Sequence, residues 1–276
     1  NAELAVVTAS REGRLVGIAP LFRVLDANGE ATLMLLGSIE ISDYLDVIVR
    51  EVDLAEFASG LFDFLAEEPP GSWRRLDWVN LPEESASLAD LQGAAARHGW
   101  EYEQTPFSPV IPVTLTGDFE TYLAGIDKKQ RHEIRRKMRR AAENELPVTW
   151  YILEDESRLE EEMQAFLKLM ENDPDKARFL TGAMRLQMVN TMRAAWRGGW
   201  LQLAFLEVDG QKAAGYLNFD YDGKIWVYNS GLEPRYLELS PGWVLLGHLL
   251  QWANENGRSV LDFMRGDEAY KFKFGG

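Results

Sequence analysis

The sequence predicts a mixed α+β fold built from two similar halves, each with a mostly antiparallel central sheet flanked by helices. Each half contains three β-rich runs joined by short turn signals, and each set of runs is followed by one helix and one further strand. The chain is also long enough, because 276 residues that are 46% hydrophobic can bury one large core or two ordinary ones.

The first half, residues 1–113, is expected to start with an antiparallel meander. Its β-rich runs are 4–9, 14–24 and 31–36, separated by the turn signals SREG and DANG. The later elements are a helix at 53–66, the break PPGS, a strand at 74–79 (RRLDWV), a short helix near 87–98 and a strand at SPVIPVTL. The sequence opens on NAELAVV without an initiator Met, which is consistent with a truncated start.

The second half, residues 114–276, is predicted to run strand, two helices, three strands, helix and strand. Asp118 is a suitable N-cap for a helix with Phe119, Tyr122 and Leu123 on one face, and a basic helix follows at 127–145. The later elements are a strand at 148–153, helices near 156–170 and 183–197, the strands LQLAFLEV, KAAGYLNFDY and KIWVYNSG, an apolar helix at about 241–256 and the strand SVLDFM.

The two halves also match each other weakly. REGRLVGIAPLF corresponds in type to VDGQKAAGYLNF, ATLMLLGS to KIWVYNSG, and RRLDWV to SVLDFM. Only Gly17 with Gly215 and the Leu-Asp-aromatic triples at 76–78 and 261–263 agree as residues. We interpret this as a repeated fold unit. The alternative is that a meander followed by a helix and a strand is simply a common arrangement.

Composition excludes several kinds of site. There is no cysteine, so disulfides and thiolate chemistry are excluded, and His98, His132 and His248 show no metal-binding spacing, which predicts no metal. The apolar runs are shorter than the roughly 18 residues of a membrane span, and we infer a cytoplasmic protein. A net charge of -15 argues against broad nucleic-acid affinity, so a polyanion contact would be local.

The first candidate site is the start of the apolar helix, from Ser240 to Val244. Ser240 suits an N-cap and Pro241 suits the first helical position, because a proline lacks the N–H that would be unpaired there. The amides of Gly242, Trp243 and Val244 would then point out of a positive helix end, which is a site for a pyrophosphate. The alternative is that Ser-Pro-Gly is only a good cap.

The second candidate site is the polar cluster after the last strand. It contains Arg265, Asp267, Glu268, Tyr270 and Lys271 within seven residues, and loops at strand ends often carry functional groups. Such a cluster can supply a base, a proton donor and an anchor for a carboxylate or phosphate, and we assign the anchoring role to Arg265 and Lys271. The alternative is a salt-bridged turn.

The third candidate site is the basic helix, in which eight of the thirteen residues from Lys128 to Arg140 are Lys or Arg. A narrow apolar stripe of Ile134, Met138 and Ala141 predicts a helix that lies on a surface by one edge. The helix has no aromatic residue to stack on bases, and its cations lack acidic partners at i, i+4 spacing, which favours an anionic ligand over a solvated face. The candidate phosphate-binding residues are Lys128, Arg131, Arg135 and Arg139.

Together these segments resemble the GNAT N-acetyltransferase superfamily. RHEIRRKMRR, SGLEP with SPGWVLL, the terminal LDFMRGDEAYKFKFG and the early DYLDVIV are similar to its CelD/BcsL-like branch, which shares the tandem GNAT architecture of the Fem aminoacyltransferases. The resemblance implies an N-terminal GNAT-like domain at 1–113 and an acyltransferase domain at 114–276. It also implies a transferase site in the second domain and an acyl-coenzyme A donor such as acetyl-CoA, with its pyrophosphate at Ser240 to Val244.

The chain departs from the family in one motif. The usual pyrophosphate loop, a Gln or Arg followed by Gly-x-Gly or Gly-x-Ala, is absent, and only Gly242 can stand for it. The Fem relatives use aminoacyl-tRNA, so tRNA or a nucleotide-linked substrate is the alternative partner of the basic helix.

We expect direct acyl transfer to a small-molecule, sugar or peptide amine. The base candidates are Asp267 and Glu233, the acid candidates are Tyr228 and Tyr270, and a main-chain N–H at a splay of the KIWVYNSG strand would hold the oxyanion. Two other functions stay open, namely a Fem-like aminoacyl-tRNA-dependent transferase and a non-catalytic GNAT-like binding module.

Overall fold

The computed structural model describes residues 2–25, 27–67 and 72–276. Asp26 of the DANG turn and residues 69–71 of PPGS therefore lie outside the described residues. The chain divides into two compact units, Asn1–Phe107 and Ser108–Gly276.

The first unit contains small sheets and two long helices. Its strands are β1 (Ala2–Leu4), β2 (Val7–Arg11), β3 (Arg14–Ala19), β4 (Leu21–Leu25), β5 (Ala31–Leu35), β6 (Ile48–Val49) and β7 (Arg75–Leu76). Its helices are α1 (Ser38–Ile41), α2 (Glu51–Glu67) and α3 (Ser87–Arg97). The two predicted helices are confirmed as α2 and α3, whereas the single-turn α1 was not predicted.

The predicted meander of the first unit is wrong in one respect, because the run 14–24 forms two strands in different sheets. β3 pairs antiparallel with β2 and β6, whereas β4 pairs antiparallel with β1 and β5. Pro20 separates β3 from β4. A proline has no N–H to donate to a ladder, so the strand is interrupted at this residue.

Helix α2 provides much of the core of the first unit. Its Phe57 and Leu61 are buried in one cluster with Leu33 of β5 and Leu91 of α3. After α2 the chain returns to the sheet, where β7 pairs in parallel with β5. The strand that follows the helix therefore lies beside the last meander strand, as the predicted repeat requires.

The second unit contains a larger sheet and helices on both of its faces. Its strands are β8 (Val110–Thr114), β9 (Val148–Ile152), β10 (Leu201–Val208), β11 (Gln211–Tyr221), β12 (Lys224–Leu232) and β13 (Val260–Arg265). Its helices are α4 (Phe119–Gly125), α5 (Lys128–Ala142), α6 (Leu159–Met170), α7 (Pro174–Phe179), α8 (Gly182–Arg197), α9 (Pro241–Glu255) and α10 (Ala269–Lys273).

One strand was assigned to the wrong half. The run SPVIPVTL contains β8, which pairs antiparallel with β13 and so belongs to the second unit. The six strands are ordered β8-β13-β12-β11-β10-β9, and only the neighbours β12 and β13 are parallel. The partner of β8 is distant in sequence, so the local pattern alone could not identify it.

The two helical layers lie on opposite faces of this sheet. Leu203 and Phe205 of β10 are buried in a cluster with α6 and α8, whereas the alternating residues Ala204 and Leu206 are buried with α4, α5 and α9. Helix α6 approaches β12 very closely, since a Cβ on Gly231 would lie 2.6 Å from the backbone of Leu169. Glycine is therefore the residue that fits at this position.

The break between α4 and α5 follows from two aspartate caps. Asp118 accepts a hydrogen bond from the Thr121 N–H (2.7 Å), which confirms the predicted N-cap of α4. Asp127 then caps α5 by accepting from the N–H groups of Lys129 (2.9 Å) and Gln130 (3.2 Å). Each cap satisfies N–H groups that a helix start leaves unpaired.

Candidate active site

The central feature of the second unit is a gap between the parallel strands β12 and β13. The strands pair at Lys224, Ile225 and Trp226 of β12, and among the described residues the register ends there, although β12 continues to Leu232 and β13 to Arg265. We call the space between 227–230 of β12 and 263–265 of β13 the slot. The sequence predicted that the strand KIWVYNSG splays, and this strand separates from β13 after Trp226.

The β13 side of the slot is opened by a backbone irregularity. The pairing of β13 with β8 shifts between Asp262 and Arg265, and Met264 has a φ of 57°, which is unusual for a residue other than glycine. The Met264 N–H donates to the Asp262 carboxylate (2.6 Å), so it is directed to its own strand. This N–H is therefore not used in a ladder bond to β8 or β12.

The β12 side of the slot contains a β-bulge. Asn229 pairs with Leu217 of β11, and Val227 pairs with the next residue, Asn218, so Tyr228 is the extra residue. A bulge bends its strand and redirects the side chains near it. Irregularities in both strands therefore coincide at the slot.

The two predicted acid residues lie beside the slot on opposite faces of the sheet, since Tyr228 packs with the α6 cluster and Tyr270 packs with the α9 cluster. Tyr228 is the bulged residue of β12, and its ring packs 5.5 Å from that of Phe219. Tyr270 of α10 packs edge-on against Phe263 of β13, at 5.7 Å between ring centroids. Burial, and secondly the charge of Glu268, raise the pKa of Tyr270 to about 12, so its phenol is protonated at neutral pH.

The two predicted base residues have different surroundings. Asp267 is exposed in the loop between β13 and α10. Glu233 lies at the far end of β12, where it caps a short 3₁₀ helix (Pro234–Leu239) and accepts from the Arg235 guanidinium (3.2 Å). Both contacts are made by Oε1, so the second carboxylate oxygen of Glu233 can still accept a proton.

Lys271, a predicted phosphate anchor, is buried, with a side chain 3% exposed. Its Nζ donates to the carbonyls of Arg265 (2.7 Å) and Gly266 (3.2 Å) and lies 2.8 Å from the Glu268 carboxylate. These three contacts account for the three N–H groups of the ammonium. Lys271 therefore fixes the loop that follows β13, and a ligand phosphate would have to displace one of these partners.

The start of α9 differs in one detail from the predicted cap. Pro241 is the first helical residue, as predicted, but Ser240 is left-handed (φ 54°) and its side chain makes no capping bond. Gly242 approaches Leu232 of β12, since a Cβ on this glycine would lie 2.9 Å from the leucine side chain. The first turn of α9 therefore begins near the C-terminal end of β12 without a side-chain cap. The prediction that the Val244 amide points out of the helix is wrong, because its N–H donates to the Ser240 carbonyl (3.1 Å).

Trp243 connects the start of α9 to the basic helix and to the C-terminus. Lys137 of α5 lies 3.8 Å above its ring centroid, and Lys273 of α10 lies at 5.8 Å. Phe274 packs against the same ring at 4.8 Å and against Phe263 of β13 at 6.4 Å. Two ammonium groups therefore stand beside the positive end of α9.

The basic helix α5 lies on the unit by the predicted apolar edge. Ile134 and Ala141 are buried, and Met138 packs against Gly247 of α9. The prediction that its cations lack acidic partners is wrong, because Glu133 contacts both Arg136 (2.8 Å) and Lys137 (3.5 Å). The sequence showed Glu133 but not that both side chains turn towards it.

The four phosphate candidates on α5 are not equivalent. Arg135 forms an ion pair with Glu120 of α4. Arg131 donates to the carbonyls of Leu123 (3.4 Å) and Ala124 (3.1 Å) at the end of α4. Lys128 and Arg139 are exposed, so these two cations remain the best placed for an anion in solution.

Sequence reasoning missed two polar residues beside the slot. Lys176 of α7 donates to the Ser230 carbonyl (2.6 Å), and Asn172 donates to the Leu232 carbonyl (2.8 Å). Glu268 was part of the predicted cluster but received no role, although it is the carboxylate that pairs with Lys271. Asn172 and Lys176 lie in the segment NDPDK, whose sequence predicts only a turn and a helix cap.

Solved structures share this fold over nearly the whole chain at low sequence identity. FemX gives a TM-score of 0.61 at 11% identity, covering 99% of this chain and 84% of that one. The C-terminal domain of a putative lysylphosphatidylglycerol synthetase from Agrobacterium fabrum gives 0.60 at 12%, covering 99% and 80%. L-PGS from Bacillus licheniformis gives 0.56 at 11%, covering 97% and 70%. No curated protein sequence matches the chain.

The fold and the family support acyl transfer in general. A family model described as an acetyltransferase (GNAT) domain matches residues 128–272, which is more than half of the chain and contains both sides of the slot. The chain therefore belongs to the GNAT acetyltransferase family.

The described residues, 2–25, 27–67 and 72–276, contain neither a candidate metal site nor a candidate membrane span. Within them, no group of three or more His, Asp or Glu side chains could hold a metal ion. Across the same residues, none of the helices combines the length and the apolar character that crossing a bilayer requires.

Proposed function

We propose that the protein transfers an acyl group from acyl-coenzyme A to an amine acceptor, with the reaction in the slot. The observation that carries this proposal is the coincidence of the bulge at Tyr228 with the irregularity at Met264. Together they separate two parallel strands in the middle of a packed sheet. A slot with backbone groups on both sides can hold the extended arm of a thioester donor.

The start of α9 is the proposed site of the donor pyrophosphate. The amides of Gly242 and Trp243 have no side-chain cap, and Lys137 and Lys273 stand beside the Trp243 ring. Helix N-termini favour anions through their unpaired N–H groups and the helix dipole. The contact between Leu232 and Gly242 brings this helix end to the strand that forms one side of the slot.

In the proposed reaction the acceptor amine attacks the thioester carbonyl. A C–N bond forms, the C–S bond breaks, and the amine proton passes to a carboxylate, for which Asp267 and Glu233 remain candidates together with Glu268. A main-chain N–H at the splay stabilises the oxyanion, and Tyr270 or Tyr228 protonates the departing thiolate. The high pKa of Tyr270 keeps this proton available at neutral pH.

We further propose that the units are two GNAT-like domains in tandem. The boundary is better placed before β8 than at 113/114, because β8 pairs with β13. In each unit the strand after the helix pairs in parallel with the last meander strand.

A Fem-like transferase that uses aminoacyl-tRNA is the second candidate. It is favoured by the likeness to FemX and by the exposed cations Lys128 and Arg139 on α5. A tRNA contact of this kind would weaken steeply as the salt concentration rises.

A thermal-shift panel separates the candidates. We expect free coenzyme A and acetyl-CoA to raise the melting temperature, because a ligand at about 100 times its Kd adds about 2.7 kcal/mol of stability. The panel also contains a long-chain acyl-CoA and tRNA. A response to tRNA alone would favour the Fem-like function, and no response to any donor would favour a non-catalytic binding module.

A further inference from the structure

Lys176 lies on the edge of β12 that the slot exposes. The Glu233 N–H bonds to the Ala213 carbonyl of β11 (2.9 Å), and backbone groups of an antiparallel strand alternate in direction. The carbonyls of Ser230 and Leu232 therefore face away from β11, towards the side from which β13 has separated. Lys176 and Asn172 bond to these two carbonyls.

The Lys176 ammonium is half-buried and is not neutralised by a close carboxylate. No Asp or Glu oxygen of the described residues lies within 4.0 Å of its Nζ, whereas Lys212 has Glu162 at 3.1 Å and Lys271 has Glu268 at 2.8 Å. A charge removed from water usually requires a partner, so the missing counter-ion needs an explanation.

The nearest acidic groups are already engaged. Asp173 caps α7 by accepting from the N–H groups of Asp175 (2.9 Å) and Lys176 (3.1 Å), and Glu268 pairs with Lys271. Burial lowers the pKa of Lys176, and the more distant charges of Asp173 and Glu268 oppose this shift. One N–H of the ammonium is used by Ser230, which leaves two for a ligand.

Lys176 lies on the opposite face of the sheet from the proposed donor site, so we assign it to the acceptor side of the slot. The segment 171–179 continues from α6, which packs on one face of the sheet, whereas α9 packs on the opposite face. The proposed pyrophosphate site at α9 therefore belongs to the other helical layer. An amine that enters from the α6 side meets Lys176 at the end of the slot.

We propose that Lys176 binds an oxyanion carried by the acceptor, so that the acceptors are amines that bear a carboxylate or a phosphate. This role of Lys176 rests on the proposed acyl transfer, because that reaction defines which side of the slot receives the acceptor. An ammonium with two N–H groups available forms charge-assisted hydrogen bonds to either anion. Lys176 is a specificity-determining residue in this scheme and takes no part in the bond changes.

The test measures anion binding without turnover. Melting temperatures are recorded in sodium phosphate, sodium acetate and sodium chloride at equal ionic strength for the wild type, Lys176→Met, Lys176→Arg and the control Lys168→Met. Lys168 is an exposed lysine of α6, so its substitution removes the same charge away from the slot. Phosphate also stabilises proteins through exclusion from their surfaces, and that effect is common to all four proteins.

We expect phosphate, acetate or both to raise the melting temperature beyond chloride in the wild type, Lys176→Arg and Lys168→Met, with the extra shift lost in Lys176→Met. A response to acetate alone identifies a carboxylate, and a response to phosphate alone identifies a phosphate ester. An equal shift in Lys176→Met and the wild type, or no extra shift in the wild type, overturns the proposal. The thermal-shift panel with coenzyme A tests the proposed acyl transfer separately, so failure of that function and failure of the Lys176 site can be told apart.

Discussion

Tyr270→Phe is expected to lower kcat for acyl transfer by about 100-fold, with little change in donor affinity. General acid catalysis contributes on the order of 10² to 10⁴ in rate, and the phenol is the only group that this substitution removes. Phenylalanine keeps the edge-on contact with Phe263, so the fold is preserved. The measurement is steady-state turnover of acetyl-CoA with an amine, followed by release of the free thiol.

Tyr221→Phe is the matched control for this prediction. Tyr221 is an exposed tyrosine at the far end of β11, where its ring packs against Trp200 (5.2 Å). Its kcat should remain within about twofold of the wild type, as for most surface changes away from a site. If Tyr270→Phe also kept full kcat, the acid role would pass to Tyr228, the other phenol at the slot.

Gly242→Glu is expected to weaken coenzyme A binding by at least about 100-fold. The substitution places a carboxylate in the first turn of α9, where it occupies the positive helix end and repels the pyrophosphate. Like charges brought together cost several kcal/mol, and each 1.4 kcal/mol is a factor of ten in Kd. Titration calorimetry of the folded variant with coenzyme A measures the loss.

Gly242→Ala separates the effect of the added Cβ from that of the longer, charged side chain. Both substitutions place a Cβ 2.9 Å from the Leu232 side chain, so they share this close contact, and only glutamate extends beyond it. We expect the alanine variant to retain coenzyme A binding within a few-fold of the wild type. Equal losses in the two variants would show that packing against β12, rather than a pyrophosphate site, explains the glycine.

Most of the fold could be predicted from periodicity and turn signals. The helices α2, α3, α6, α8 and α9 and the strands β9 to β13 lie close to their predicted positions, because each is an amphipathic or apolar run bounded by turn residues. The errors concern pairing rather than local structure. Pro20 divides one run between two sheets, and β8 finds its partner about 150 residues later, which no local pattern encodes.

The candidate site was predicted in part. The sequence predicted roles for Tyr228 within β12, for Tyr270 after β13 and for the start of α9, and these roles stay predictions. It could not show that Lys271 is buried in its own loop, or that Glu233 is held by Arg235, since both facts depend on side-chain packing. Lys176 gave no signal, because its meaning comes from the Ser230 carbonyl 54 residues away in sequence.

The basic helix shows how folding changes the interpretation of a charge run. Eight cations in thirteen residues suggested an anion site over the whole helix. In the folded chain, Arg135 and Arg136 have acidic partners, Arg131 caps α4 and Lys137 packs on Trp243. Some cations of the basic helix therefore make contacts within the fold, Lys137 faces α9, and only the remaining exposed cations are open to an anion in solution.

Amide NMR during a titration with acetyl-CoA tests most directly whether the slot holds the donor. The account predicts chemical-shift changes concentrated in 227–230 of β12, 263–265 of β13 and the first turn of α9 at 242–244. Amides at the far ends of the same strands, such as those of Tyr221 and Lys224, should change little. Saturable binding with the largest shifts elsewhere in the chain, or no shifts at all, would contradict the assignment of the slot as the donor site.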